Sequence, residues 1–218
     1  MKKRLFIVLC AFLPLVAVAQ STWERPQQTV STDNDQKKKA LFEKNKQKTD
    51  PKYLAGAVPV VDGKVTFTLD ADAPGKSAQQ IYDAIYRVLD DMTKEEGQFK
   101  ESQVALVDKQ NHSIAARYKE WLVFQNTLLS LDRTVFNYTV FADCTDGHAH
   151  VTITRISYMY EMERGEDDGM MTVAEGWITD DNALNKKGTK LAKYSGKFRR
   201  KTIDRKDIIF DNIKKAIQ

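Results

Sequence analysis

The stretch that decides the fold is TVFNYTVFADCTDGHAHVTITRISYMY, residues 134–160. Two runs rich in β-branched and aromatic residues flank Asp146-Gly147. Asp-Gly favours the tight two-residue hairpin turn, because that turn needs φ > 0 at both central positions. The pattern predicts a hairpin at the middle of a sheet. With this turn, Thr145 opposes His148, Cys144 opposes Ala149 and Asp143 opposes His150. Opposed residues share a face, and successive residues alternate between faces. One face then carries Phe136, Tyr138, Val140, Ala142, Cys144, Ala149, Val151 and Ile153, and this is the predicted core face. The other carries Asp143, Thr145, His148 and His150. After Ile153 the apolar phase slips by one residue to Ile156, Tyr158 and Tyr160, which predicts a β-bulge near Thr154-Arg155.

Upstream of the hairpin, residues 113–124 read as a long strand with Ile114, Ala116 and Tyr118 on one side. Its end, Trp121-Leu122-Val123-Phe124, is apolar on both sides, so it is expected to be covered twice or to cross a bulge. Residues 125–133 connect it to the hairpin and hold Leu128, Leu129 and Leu131, enough apolar surface that the connection is expected to pack on something. Residues 104–107 form a short strand. Ser77 with Gln80 three residues on is a capping box, and Ile81, Ala84, Ile85, Val88, Leu89 and Met92 recur at helical spacing behind it. Residues 58–69 contain the first strand, with Val65, Phe67 and Leu69 facing inward, a turn at Asp62-Gly63 and a stop at Pro74-Gly75.

Downstream of Tyr160 come an acidic turn at 161–168, a short helix over 182–194 broken at Gly188, and an amphipathic helix over 204–217. The order is β-α-β-β-β-β-α, an α+β fold with an antiparallel sheet and helices packed on one face.

The beginning of the chain reads as a secretory leader. Lys2, Lys3 and Arg4 precede an apolar run over residues 5–18, and Ala17-Val18-Ala19 is a small-x-small cleavage signature. The expected organisation is leader 1–19, flexible polar linker 20–55 and one domain over 56–218. No later stretch approaches the ~20 apolar residues of a membrane-spanning helix. The whole chain carries +4, but residues 1–19 hold three basic residues and no acidic one, leaving 31 basic against 30 acidic. That near-neutral balance lacks the overall footprint of a nucleic-acid binder. Past the leader only Cys144 remains, so no internal disulfide forms and an ordinary core must hold the domain. Exported, periplasmic or outer-surface placement is the expectation.

Several longer runs are similar to a known family: YLAGAVPVVDGKVTF (53–67), IAARYKEWLVFQN (114–126), SLDRTVFNYTV (130–140), CTDGHAHVTITRISY (144–158), AEGWITD (174–180) and ALNKKGTKLAKYSGKFRRKTIDRKDIIF (183–210). They resemble the exported Bacteroidetes domain-of-unknown-function family described as having a TBP-like fold. The resemblance spans roughly residues 53–217. It implies a signal peptide, a linker and one α+β domain shaped like a repeat of the TATA-binding protein. It brings no catalytic residues, and a fold label does not by itself imply DNA binding.

The best metal candidates are Asp143, His148 and His150, which share a face. Cys144 points the other way, and a tetrahedral site needs more ligands than remain. On the apolar face Cys144 reads as a packed thiol rather than a nucleophile. No phosphate loop, nucleophile elbow or Rossmann fingerprint is present, so no cofactor is expected. The aromatics Trp121, Tyr138, Tyr158 and Trp177 are the candidate ligand-binding residues, suited to an apolar ligand or a sugar ring if they line an open sheet face. Otherwise they are core. Ten basic residues against one acidic over 186–206 form a band that suits an acidic surface or phosphate groups. The favoured function is a non-enzymatic interaction module with an envelope protein as partner. The alternatives are a binder of a small lipid or glycan in a pocket between sheet and helices, and a hydrolase using a carboxylate pair.

Overall fold

The structure is a computed structural model and describes residues 49–161 and 169–218. The expected leader, most of the linker and the acidic residues 162–168 lie outside them.

Two short strands, β1 (Val60–Val61) and β2 (Lys64–Val65), make a small hairpin. Its turn residues Asp62 and Gly63 have φ of 49° and 73°, the mirror-image turn that Asp-Gly favours. The main sheet contains β3 (Phe67–Asp72), β4 (Gln103–Asp108), β5 (Ser113–Thr127), β6 (Ser130–Thr145), β7 (His148–Tyr160) and β8 (Met170–Val173). Its order is β3-β7-β6-β5-β4, every pairing is antiparallel, and β8 also pairs with β7.

The central hairpin has the expected register, with Thr145 opposite His148 and Asp143 opposite His150. The bulge is also where the apolar phase slips. Asn137 pairs with Ser157 but Thr139 with Thr154, so Arg155 and Ile156 together oppose Tyr138. Arg155 takes φ 56°, and Ile153, Ile156 and Tyr158 all stay buried. The turn itself differs from the expectation, since only Gly147 of the pair has a positive φ, 73°. Asp146 instead accepts a 2.8 Å hydrogen bond from the Ala78 backbone N–H, and the Gly147 N–H donates to the Lys76 carbonyl at 2.9 Å. The turn is thereby docked on the start of the first helix.

That helix, α1 (Ala78–Met92), carries both bonds of the Ser77/Gln80 capping box. It lies on the inner face with the last helix, α4 (Ser195–Ile217), and the two cover the predicted core face. The other sheet face is polar and open along β3, whose residues alternate buried and exposed. Between β8 and α4 sit two single turns, α2 (Ala174–Trp177) and α3 (Asp180–Ala183).

Two expectations need correcting. Of the helix expected over 182–194 only Asn182 and Ala183 are helical, as the end of α3, and 184–194 is a loop closed by a Leu184–Leu191 bridge. The final helix starts nine residues earlier than 204, at Ser195. Gly196 allows that start, because a Cβ there would sit 2.7 Å from the Leu191 Cβ. Arg199 explains why a basic stretch is helical and buried. It is fully enclosed and donates to the carbonyls of Tyr53 (2.6 Å), Leu54 (2.6 Å) and Ile178 (2.8 Å) and to Asp180 (2.7 Å). One side chain therefore clamps the segment before β1 and the α2–α3 turns onto α4. Arg199→Met would take their side-chain donor from the carbonyls of Tyr53 and Ile178 and from Asp180, leaving Leu54 only its Ala57 N–H, and in urea unfolding it is expected to lose on the order of 3 kcal/mol.

Candidate functional site

The strands β5 and β6 outrun the rest of the sheet. They pair as far as Thr127 and Ser130, whereas the β6–β7 ladder ends at Thr134 and Tyr160. Beyond Leu122 and Thr134 they continue as a two-stranded ribbon, five residues of β5 and four of β6, roughly 15 Å at strand rise. Leu128 and Leu129 close it. The apolar run at 121–124 resolves by the expected bulge, with the register shift falling between Val123 and Gln125. The extra residue, Phe124, packs on Phe198 of α4 with ring centroids 4.6 Å apart.

The ribbon base is fastened by one lysine. Lys197 Nζ donates to both Asp132 carboxylate oxygens (3.0 and 2.8 Å) and to the Tyr160 hydroxyl (2.8 Å). Tyr160 in turn donates to Asp132 at 2.9 Å, and Lys197 lies over the Tyr160 and Phe124 rings at 4.3 and 4.7 Å. On the opposite face the Arg133 guanidinium stacks 3.7 Å from the Trp121 ring centre. Past this base the ribbon is bare. Leu128 is 100% exposed, Leu129 95%, Leu131 45% and Val123 36%, and residues 123–131 include no charged side chain. The expectation that 125–133 packs on something is therefore corrected: it is a strand extension whose leucines meet solvent among the described residues.

The aromatics singled out from sequence do not converge. Tyr138 and Tyr158 are core, joined through Phe136 at centroid distances of 4.7 and 5.5 Å. Trp177 reaches that cluster by an edge contact with Phe198. Trp121 is on the other face of β5, against Phe99 and Arg133. An open groove of about 430 Å³ between α1 and α4 is lined by Val88, Met92, Glu95, Lys215 and Ala216 among others, and by none of the four.

Asp143, His148 and His150 share a face, but each has another partner. Asp143 accepts from Ser113 Oγ at 2.5 Å, while His148 Nδ1 bonds Asp72 (2.9 Å) and His150 Nδ1 bonds Asp70 (2.7 Å). Asp70 and Asp72 come from β3, and their alternation in FTLDAD was the available signal for them. Among the described residues no group of three or more His, Cys, Asp or Glu is placed to hold a metal. Cys144 is buried, and burial pushes its thiol pKa up to about 11, the opposite of a reactive thiolate.

Glu120 is the charged residue that sequence reading missed. It is 6% exposed on the inner face of β5 and accepts from Arg205 Nε (2.8 Å) and Gln98 Nε2 (2.6 Å). Burial raises its pKa, against the pull of Arg205. Arg205 also bonds Glu95 at 2.7 Å, so this acid–arginine–acid set holds α4 against β5 and the end of α1. The Tyr138 hydroxyl is buried beside Glu120 without a hydrogen bond of good geometry.

Residues 67–159, from the start of β3 to the penultimate residue of β7, match the family described as "Domain of unknown function (DUF4468) with TBP-like fold". A crystal structure of a DUF4468 family protein from Bacteroides ovatus ATCC 8483 is 39% identical, covers 78% of this chain and 96% of its own, and superposes with TM-score 0.72. The chain belongs to the DUF4468 family. A TBP-like protein from Parabacteroides distasonis ATCC 8503, 21% identical over 74% of this chain and 97% of its own, shares the fold with TM-score 0.59. No curated protein gives a significant match. Membership in DUF4468 fixes the TBP-like α+β architecture, and no helix among the described residues is long and apolar enough to cross a membrane.

The Asp72 hydrogen bond, with Asp70 adding to it, raises the His148 pKa above its ordinary 6.5. A raised histidine pKa adds stability that is full below about 6.5 and is lost as pH rises through the folded value. An NMR titration is expected to place the His148 midpoint above 6.5, and Asp72→Asn is expected to lower it.

Proposed function

We propose that this protein is an exported, non-enzymatic docking module of the cell envelope, and that the β5–β6 ribbon is the part that docks. The observation that carries the reading is the pair Leu128 and Leu129, 100% and 95% exposed at the end of an uncharged ribbon. Apolar surface held out in solvent invites association, and contiguous exposed apolar patches mark interaction sites. The mount is stiff rather than loose. Lys197, Asp132 and Tyr160 tie the base to α4, and Phe124 is wedged against Phe198. Export is supported by the basic residues, apolar run and small-x-small signature at 1–19. The polar residues from 20 up to the segment that Arg199 clamps at Tyr53 and Leu54 then serve as a tether that lets the domain reach its partner. A docking role also suits the charge arrangement, because the buried Glu120 is occupied by Arg205 and Gln98.

A photo-crosslinking amino acid placed at position 129 tests this in the native envelope, with position 106 as the control. Leu106 is 72% exposed on the edge strand β4, so it is also accessible but away from the ribbon. A discrete adduct at 129 and none at 106 is expected. Adducts at 106 alone, or at neither position, would contradict the ribbon as docking element.

A further inference from the structure

Building on the docking reading, we propose that the ribbon enters a lipid bilayer surface, with anionic headgroups meeting the basic head of α4. The first reason is shape. A stable protein interface takes roughly 800 Å² from each side. The bare part of the ribbon is a convex wedge ending in two leucines, and a bilayer accepts such a wedge without a matching cleft. The second reason is the absence of charge along the part that would enter. Residues 123–131 are uncharged, and of the acids at the base Asp132 is paired with Lys197.

The third reason is what stands at the base. Lys197 places the first turns of α4 beside Asp132, so the residues around that helix start lie at the level where the ribbon leaves the domain. Tyr194 is 70% exposed there, with Lys193 Nζ 5.4 Å from its ring centre. Tyrosine with a neighbouring lysine is the composition of a membrane–water interface. Lys190, Lys193 and Arg200 are exposed and make no ion pair among the described residues. Apolar side chains that lie in an interface sink about 5–10 Å. A ribbon of roughly 15 Å sunk to that depth leaves its base about 5–10 Å above, where these cations reach the headgroups.

The test is sedimentation of the full chain with vesicles of phosphatidylglycerol and phosphatidylcholine, against vesicles of phosphatidylcholine alone. The chain is expected to sediment with the anionic vesicles and to release when salt is raised. Leu128→Ser with Leu129→Ser is expected to weaken binding about tenfold or more, and Lys193→Glu with Arg200→Glu to remove the preference for the anionic lipid. All four positions are exposed, so an unchanged thermal melt confirms that folding is intact. No vesicle binding overturns the bilayer proposal. Anionic binding that survives the leucine substitutions does so too, because the linker lysines at 37–39 would then be its source. A polypeptide adduct at position 129 without vesicle binding leaves the docking reading standing and the bilayer proposal refuted. No adduct and no vesicle binding removes both.

Discussion

The bulge at Arg155-Ile156 is the constraint on which the sheet depends. A strand of thirteen residues with a period of two can present its apolar side chains to one face only while the phase holds. In β7 the apolar set changes phase between Ile153 and Ile156, and one extra residue restores it. The left-handed conformation of Arg155 costs about 1 kcal/mol. Burying Ile156 and Tyr158 contributes roughly 2 kcal/mol each, which outweighs that cost. The bulge also divides the outer edge of β7. β3 pairs with it up to Ile153, and β8 takes over from Ser157 to Tyr160.

From that sheet the charged interior follows. Arg199 gathers the segment before β1 and the α2–α3 turns, while Arg205 gathers Glu95 and Glu120. Both arginines are on α4, so one helix connects the periphery to the sheet. Lys197, on the same helix, fastens the ribbon. The buried and half-buried charges thus explain how α4 is seated, and the bare leucines lie just beyond the first of them.

Much of this was legible in the sequence because it rests on local rules. The capping box at Ser77, the alternation through Phe136, Tyr138 and Val140, and the phase slip after Ile153 each needed only neighbouring residues. What was not legible depended on distant partners. The start of α4 read only as part of a basic band, because nothing near Arg199 in sequence reveals the carbonyls of Tyr53, Leu54 and Ile178. The ribbon looked like a buried connection, because three leucines in nine residues ordinarily pack. Asp143 looked available to His150, and the proximity of Asp70 became apparent only once β3 paired with β7. The aromatic residues were divided between two sheet faces by the pleat of β5, which separates Trp121 from Tyr118.

Hydrogen–deuterium exchange of the full chain, with and without an envelope fraction of the cells that make it, tests the proposed docking most directly. In the free chain the amides of 125–131 are expected to exchange quickly relative to those of the β6–β7 hairpin, since past Phe124 neither sheet nor helix among the described residues covers the ribbon. On adding envelope, protection confined to 123–133 is the expected result. Protection at the β4 edge or along the α1–α4 groove with the ribbon unchanged would contradict it.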